Sequence, residues 1–153
     1  RFNASSAIYR CPSFKKVNAG GIEYLRTYAM QWYVGKPGIG AACKGRIEDI
    51  NRPAACFVFI DQQQMDNSHF GIHATNFAAT VDGWYSYIAS ASTAPNNNEM
   101  PARRHGGPTS FSFVDGHAQS VKWSGTFVKL GIPGLCAGAD LQDLRMVQGW
   151  LPD

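Results

Sequence analysis

The sequence predicts an α+β domain with an antiparallel β-sheet, long loops and a C-terminal helix. Three stretches support this prediction. Residues 110–123 contain two β-prone runs joined by Asp115-Gly116, a dipeptide that favours a hairpin turn. Residues 55–60 form a continuous apolar run, which is typical of a buried central strand. Residues 140–151 repeat apolar side chains at the spacing of an amphipathic helix.

The composition indicates one domain. A chain of 153 residues can bury about 70% of its unfolded surface around one core. The 16 glycines and 8 prolines indicate many turns, and an aromatic content of 12% favours a β-rich body. The net charge is only +3, and the basic residues are scattered, so nucleic-acid binding is disfavoured. No apolar stretch is long enough to span a bilayer. We therefore expect one globular domain over residues 1–153.

The first third of the chain alternates short strands and loops. Residues 8–10 predict a strand that stops at Cys11-Pro12, because proline lacks a ladder donor and restricts the residue before it. Residues 22–34 predict a strand, with the best alternation over 27–33. Residues 35–45 are glycine-rich but lack the Gly-Lys-Ser/Thr ending of a phosphate-binding loop, so they predict an ordinary loop. Residues 46–51 predict a short helical turn.

The later segments are mostly loops around the hairpin and the helix. Residues 61–82 predict a long excursion without a sustained period, and residues 83–88 a short aromatic strand or surface segment. Residues 90–99 predict an exposed loop. In the C-terminal helix we expect Asp140 to cap the start and Pro152 to end it. Its apolar face consists of Leu141, Leu144, Val147 and Leu151.

A two-residue turn at Asp115-Gly116 would fix the register of the hairpin. Val114 would then face His117, and Phe113 would face Ala118. This register gives the hairpin two apolar faces and predicts layers on both sides of it. One face has Phe111, Phe113 and Ala118, and the other has Val114, Val121 and Trp123.

The four cysteines are widely spaced. No Cys-x-x-Cys pair occurs, so zinc-ribbon and thioredoxin-like sites are disfavoured. An even number in a turn-rich chain predicts two disulfides and an oxidising compartment, with all three pairings open. The alternative is buried thiols in a reducing compartment. The candidates are Cys11, Cys43, Cys56 and Cys136.

Several short motifs occur in an order that resembles a known family. His105 is followed after nine residues by Asp115-Gly116. Upstream, in order, lie YRCPS (9–13), TYAMQW (27–32), INRP (50–53), CFVFID (56–61) and PARRHGG (101–107). This series resembles the bacterial prepilin-like H-X9-DG proteins, which are related to type IV pilins and type II secretion pseudopilins. The resemblance extends over residues 8–123.

The resemblance implies a pilin-like head domain and a structural, non-enzymatic role at the cell surface or outside a bacterium. It implies that His105, Gly106, Gly107, Asp115 and Gly116 are a signature of the fold. We expect His105 to hydrogen-bond near the Asp115-Gly116 turn or pack beneath it, with His117 as a candidate partner.

Family members carry a basic leader and a long apolar helix, whereas this sequence begins at Arg1. We expect that helix to have been removed or to come from a second chain. The expected partners are therefore other copies of the chain in a filament and, in the split case, a helical N-terminal pilin. A patch on the outer face of the hairpin or on the helix at 141–151 would then contact the helical pilin.

Parts of the sequence also suggest functions other than a pilin-like head. A secreted carbohydrate- or surface-binding module could use Trp84, Tyr85 and the loop around Asn97. A metal-dependent hydrolase could use histidines, but the His-Glu-x-x-His pattern is absent. A triad of His105, Asp115 and a nearby serine lacks a nucleophile elbow. The histidines of the hydrolase alternative are His69, His73, His105 and His117. A calcium site could use Asp61, Asp66 and Asp82, but the DxDxDG spacing of a calcium-binding loop is absent. We assign no catalytic residue, no cofactor and no metal ligand.

Overall fold

A computed structural model describes residues 10–14, 27–35, 44–62, 69–70, 101–126, 128 and 136–152. Within these residues the sheet has five strands in the order β3-β1-β2-β4-β5. Their bounds are β1 Tyr28–Gln31, β2 Phe57–Asp61, β3 His69–Phe70, β4 Thr109–Phe113 and β5 Ala118–Val121. Helix α1 spans Gly138–Gln148, and short 3-10 turns span Ile47–Asp49 and Pro53–Ala55.

Four of the strands form an antiparallel sheet, with β2 in the middle. β2 pairs with β1 on one side and with β4 on the other, and β4 pairs with β5. β3 adds a short parallel strand beside β1. The predicted α+β class is therefore confirmed. So are the central strand expected at 55–60 and the helical turn expected at 46–51.

The hairpin forms as predicted, but its register differs by one residue. The Phe113 N–H donates to the His117 carbonyl oxygen at 2.9 Å, and the Gly116 N–H donates to the Phe113 carbonyl oxygen at 3.0 Å. The loop therefore has three residues, with Gly116 at φ 93°, as in a turn followed by a left-handed residue. A slip of one residue moves side chains to the other face. Val121 and Trp123 accordingly join Phe111 and Phe113 in one core.

The outer face of the hairpin is consequently polar. Ser110 lies opposite Ser120, and Ser112 lies opposite Ala118. The expected apolar patch on this face is therefore wrong. The exposed large apolar side chains of the neighbouring strands are Tyr28 on β1 and Phe59 on β2.

Helix α1 packs its apolar side chains against the inner face of the sheet. Leu144 and Val147 are fully buried, and Leu151 is buried just beyond the helix. The helix begins at Gly138 with Ala137 at the N-cap and without a side-chain cap, so the expected cap by Asp140 is wrong. Asp140 lies in the first turn, where a carboxylate favours the positive end of the helix dipole.

A second acidic residue of the helix holds the loop that follows β5. Asp143 is buried, and its carboxylate accepts the N–H groups of Ser124 at 2.9 Å and Gly125 at 2.7 Å. These two bonds hold the residues that follow β5 against helix α1.

The described cysteines do not form the expected disulfides. Cys11, Cys56 and Cys136 are buried thiols outside any disulfide, and Cys43 lies outside the described residues. Two bridges would need all four cysteines, so this prediction is wrong. The thiols lie in different surroundings, because Cys11 faces His105, Cys56 faces the Phe57 carbonyl oxygen and Cys136 is part of the core.

Strand β1 takes up four residues of the predicted 22–34, of which 22–26 lie outside the described residues, and a turn follows it at Trp32-Tyr33. Residues 36–43 of the predicted glycine-rich loop lie outside the described residues, and the residues on either side of them are joined by hydrogen bonds. The Gly35 N–H donates to the Lys44 carbonyl oxygen at 2.9 Å, and the Lys44 N–H donates to the Tyr33 carbonyl oxygen at 2.8 Å. None of the described helices is long and apolar enough to cross a membrane.

Candidate functional site

Three distant parts of the chain meet at the end of β2. They are the segment 10–14, the last residue of β2 and the loop that leads into β4. Cys11 Sγ lies 3.0 Å from His105 Nε2. One ligand atom each from Cys11, Asp61 and His105 lie within 4.8 Å of one another. Cys11 and Asp61 are buried, whereas His105 is exposed, so the cluster borders solvent on its histidine side.

Cys11 is held by its backbone. The Phe14 N–H donates to the Cys11 carbonyl oxygen at 2.9 Å and closes a turn around Pro12 and Ser13. The Cys11 N–H donates to Thr27 Oγ1 at 2.8 Å, just before β1 begins. Pro12 cannot continue a strand, so the chain turns directly after the thiol.

Asp61 is held by both its backbone and its side chain. Its carbonyl oxygen accepts the Ala102 N–H at 2.8 Å, and its carboxylate is paired with Arg104. Arg104 also donates to the Gln62 carbonyl oxygen, and its guanidinium lies 4.3 Å from the centre of the Phe14 ring. The exposed fractions of the Arg104 and Asp61 side chains are 9% and 4%. This ion pair is therefore nearly removed from water.

The electrostatics of Asp61 reflect this burial. Burial raises the pKa of Asp61 above its ordinary value, because the charged form loses hydration. The Arg104 charge and its hydrogen bond oppose this shift, followed by His105 and a hydrogen bond from Thr27. The pKa of the neighbouring Tyr28 is raised as well, first by burial and then by the charges of Asp61 and Cys11.

The glycines after His105 allow the chain to turn back into β4. Gly106 and Gly107 have φ values of 77° and 115°, which side chains with a Cβ rarely adopt. The Thr109 hydroxyl then donates to the Ala102 carbonyl oxygen and accepts the Trp123 indole N–H at 2.8 Å. The loop that carries Arg104 and His105 is thereby closed on itself and attached to the core.

The Asp115-Gly116 turn is a separate feature. His105 precedes β4 and Asp115 follows it, so a five-residue strand of about 17 Å separates them. Asp115 Oδ1 instead pairs with His117 Nδ1 at 2.6 Å, and the His117 ring stacks on Phe113 at 4.3 Å. The expectations that His105 lies near this turn and that His117 is its partner are therefore wrong. The imagined triad of His105 and Asp115 is not assembled.

The remaining candidates from the sequence have mixed outcomes. His69 lies on strand β3, so a helical His69/His73 pair does not form. Six further candidates for metal or surface binding lie outside the described residues: His73, Asp66, Asp82, Trp84, Tyr85 and Asn97. The sequence did not predict the contacts among Cys11, Asp61, Arg104 and His105, although each of the four lies in a motif that carries the family resemblance.

We compared the chain with protein-family models, curated proteins and solved structures, and no match was found in any of the three.

Proposed function

We propose that the chain is the globular head of a type IV pilus-like or pseudopilus filament, with a structural and non-enzymatic role. One observation carries the proposal. Four of the motifs that resemble the prepilin-like family are far apart in the sequence, yet residues from them meet at a single site. Cys11, Asp61, Arg104 and His105, which we call the clamp, come from three of these motifs. Thr27, from a fourth motif, holds Cys11.

The clamp suits a protein that carries load. In filaments of this kind an N-terminal helix lies in the core, so tension reaches the head through the segments nearest that helix. Segment 10–14 is attached to strand β2 by the Phe14–Arg104–Asp61 contacts and to the start of β1 by Thr27. A pull on this segment is therefore shared between two neighbouring strands of the sheet.

Exposed apolar side chains beside the clamp suit contacts between subunits. Tyr28 and Phe59 have exposed fractions of 37% and 47%, and Phe59 pairs in register with the half-buried Met30. These three side chains lie on the face of the sheet opposite α1. They replace the hairpin face and the helix as the patch expected to meet a helical pilin or another copy, and a stable contact would bury at least about 1,000 Å².

The proposal is tested on the organism that makes the protein. Antibodies raised against the recombinant chain would be used for immunogold electron microscopy of intact cells and of the sheared surface fraction. We expect gold particles at regular spacing along filaments, and peptides of this chain among the main components of the sheared fraction. Antibodies adsorbed beforehand with the recombinant chain are the control.

Two results would overturn the proposal. One is label confined to the cell body or to dispersed soluble material, with filaments unlabelled. The other is binding of the purified chain to immobilised glycans without label on filaments, which would favour the carbohydrate-binding module.

A further inference from the structure

We propose that Cys11, Asp61 and His105 bind one zinc ion. The inference rests on the donor set and its placement, and it does not depend on the filament proposal. A thiolate, an imidazole and a carboxylate are the three side-chain groups that zinc uses in proteins. Their ligand atoms lie within 4.8 Å of one another in this fold.

The Cys11–His105 separation fits a tetrahedral ion after a small adjustment. Zinc bonds of about 2.0–2.3 Å place neighbouring tetrahedral ligands about 3.3–3.8 Å apart. Cys11 Sγ and His105 Nε2 are 3.0 Å apart, which is a hydrogen-bond distance. They would separate by roughly half an ångström to admit the ion. Because His105 is exposed, its ring can move without disturbing the core.

The two other ligands are already fixed. Cys11 is held by Thr27 and by the turn to Phe14, and Asp61 by the Ala102 N–H and by Arg104. A carboxylate has about four lone-pair sites, of which Arg104 and Thr27 use two. An oxygen lone pair therefore remains for a metal. Ligands oriented in this way lose little freedom when the ion binds.

The charge balance and the donor chemistry select the metal. On binding, the zinc ion replaces the proton of the Cys11 thiol, which leaves to solvent. The thiolate and the Asp61 carboxylate then offset the charge of the ion, while Arg104 continues to pair with Asp61. Sulfur and nitrogen donors disfavour calcium and magnesium, which prefer all-oxygen sites. Because His105 is exposed, water can reach the site and would supply the fourth ligand.

The test uses the whole chain, reduced and stripped of metal, with Co²⁺ as a spectroscopic probe and Zn²⁺ as competitor. We expect one equivalent of Co²⁺ to give the thiolate charge-transfer band and the intense visible bands of a tetrahedral site. One equivalent of Zn²⁺ should abolish both. Circular dichroism would verify that each variant is folded.

Variants locate the site. Cys11→Ser should lose the charge-transfer band, and Asp61→Asn and His105→Gln should each bind at least about tenfold more weakly. The matched control is His117→Gln, since His117 also pairs with an aspartate but lies at the far end of β4. It should bind like the wild type.

Wild-type protein without the charge-transfer band would overturn the proposal by itself, even if a variant failed to fold. So would a band that persists in folded Cys11→Ser, or a loss in His117→Gln equal to that in His105→Gln. In those cases the Cys11–His105 contact is a hydrogen bond alone.

Discussion

Removal of the Arg104 guanidinium tests whether the clamp holds the domain together. Arg104→Met keeps a long apolar stem but leaves Asp61 without its ion-pair partner. Both side chains are more than nine-tenths buried. Breaking a buried pair by removing one partner costs about 3–5 kcal/mol, because an uncompensated charge stays in the interior. Burial already raises the pKa of Asp61, so the carboxyl can take up a proton, which limits the loss to about 3 kcal/mol.

A loss of about 3 kcal/mol lowers Tm by roughly 6–12 °C in a domain of this size. Thermal and urea unfolding would be followed by near-ultraviolet circular dichroism in metal-free buffer at neutral pH. The control is Arg46→Met, whose partner Glu48 is 3.7 Å away. Those side chains are 76% and 70% exposed, so the loss should stay below about 1 kcal/mol.

The double variant Arg104→Met/Asp61→Asn should recover part of the stability, because no buried charge is left alone. The reasoning is refuted if Arg104→Met lowers Tm no more than Arg46→Met does. It is also refuted if the double variant is less stable than Arg104→Met.

Three further predictions concern the hairpin and the helix. Gly125→Ala would place a Cβ 2.7 Å from Asp140 Cα, which is too close for two carbon atoms. In the control Gly149→Ala, the new Cβ would lie 3.3 Å from its nearest neighbour, the Met146 carbonyl oxygen. The urea midpoint of Gly125→Ala should therefore fall well below that of Gly149→Ala. Asp143→Ala should cost about 1–3 kcal/mol in the same assay, because two backbone N–H groups lose their acceptor, whereas exposed Gln142→Ala should be nearly neutral. Hydrogen bonds from His117 lower the pKa of Asp115 below its ordinary value. The stability that this pair contributes is therefore fully present above the ordinary aspartate pKa. It is lost as the pH falls through the lowered pKa of the folded protein. NMR titration should find a depressed Asp115 pKa that returns toward its ordinary value in His117→Ala, and an equal pKa in both proteins would contradict this.

Local patterns predicted three of the described elements. The apolar run at 55–60, the helix near 140–151 and the hairpin around Asp115-Gly116 each depend on side chains close in the sequence. The hairpin register could not be predicted in the same way, since Asp-Gly fits both a two-residue turn and a three-residue loop. The three-residue loop puts Val121 and Trp123 in the core, and only tertiary packing selects this loop over the two-residue turn.

The clamp was beyond prediction for a different reason. Its motifs were visible, but which of their residues touch depends on how strands β1, β2 and β4 align. The family resemblance suggested that His105 contacts the Asp115-Gly116 turn, because the two belong to one motif with nine residues between them. Strand β4 lies between them and places the turn at its far end, so His105 contacts Cys11 instead.

The separation of 94 positions between Cys11 and His105 also orders events during synthesis. At about 5–20 residues per second, a ribosome needs about 5 to 20 s to add that length of chain. Throughout this interval the Cys11 thiol lacks the histidine that it contacts in the folded protein. Contacts between such distant positions also form slowly, since a long loop must close first. In a refolding experiment, protection of the Cys11 thiol from chemical modification would therefore report when segment 10–14 meets the loop that carries His105.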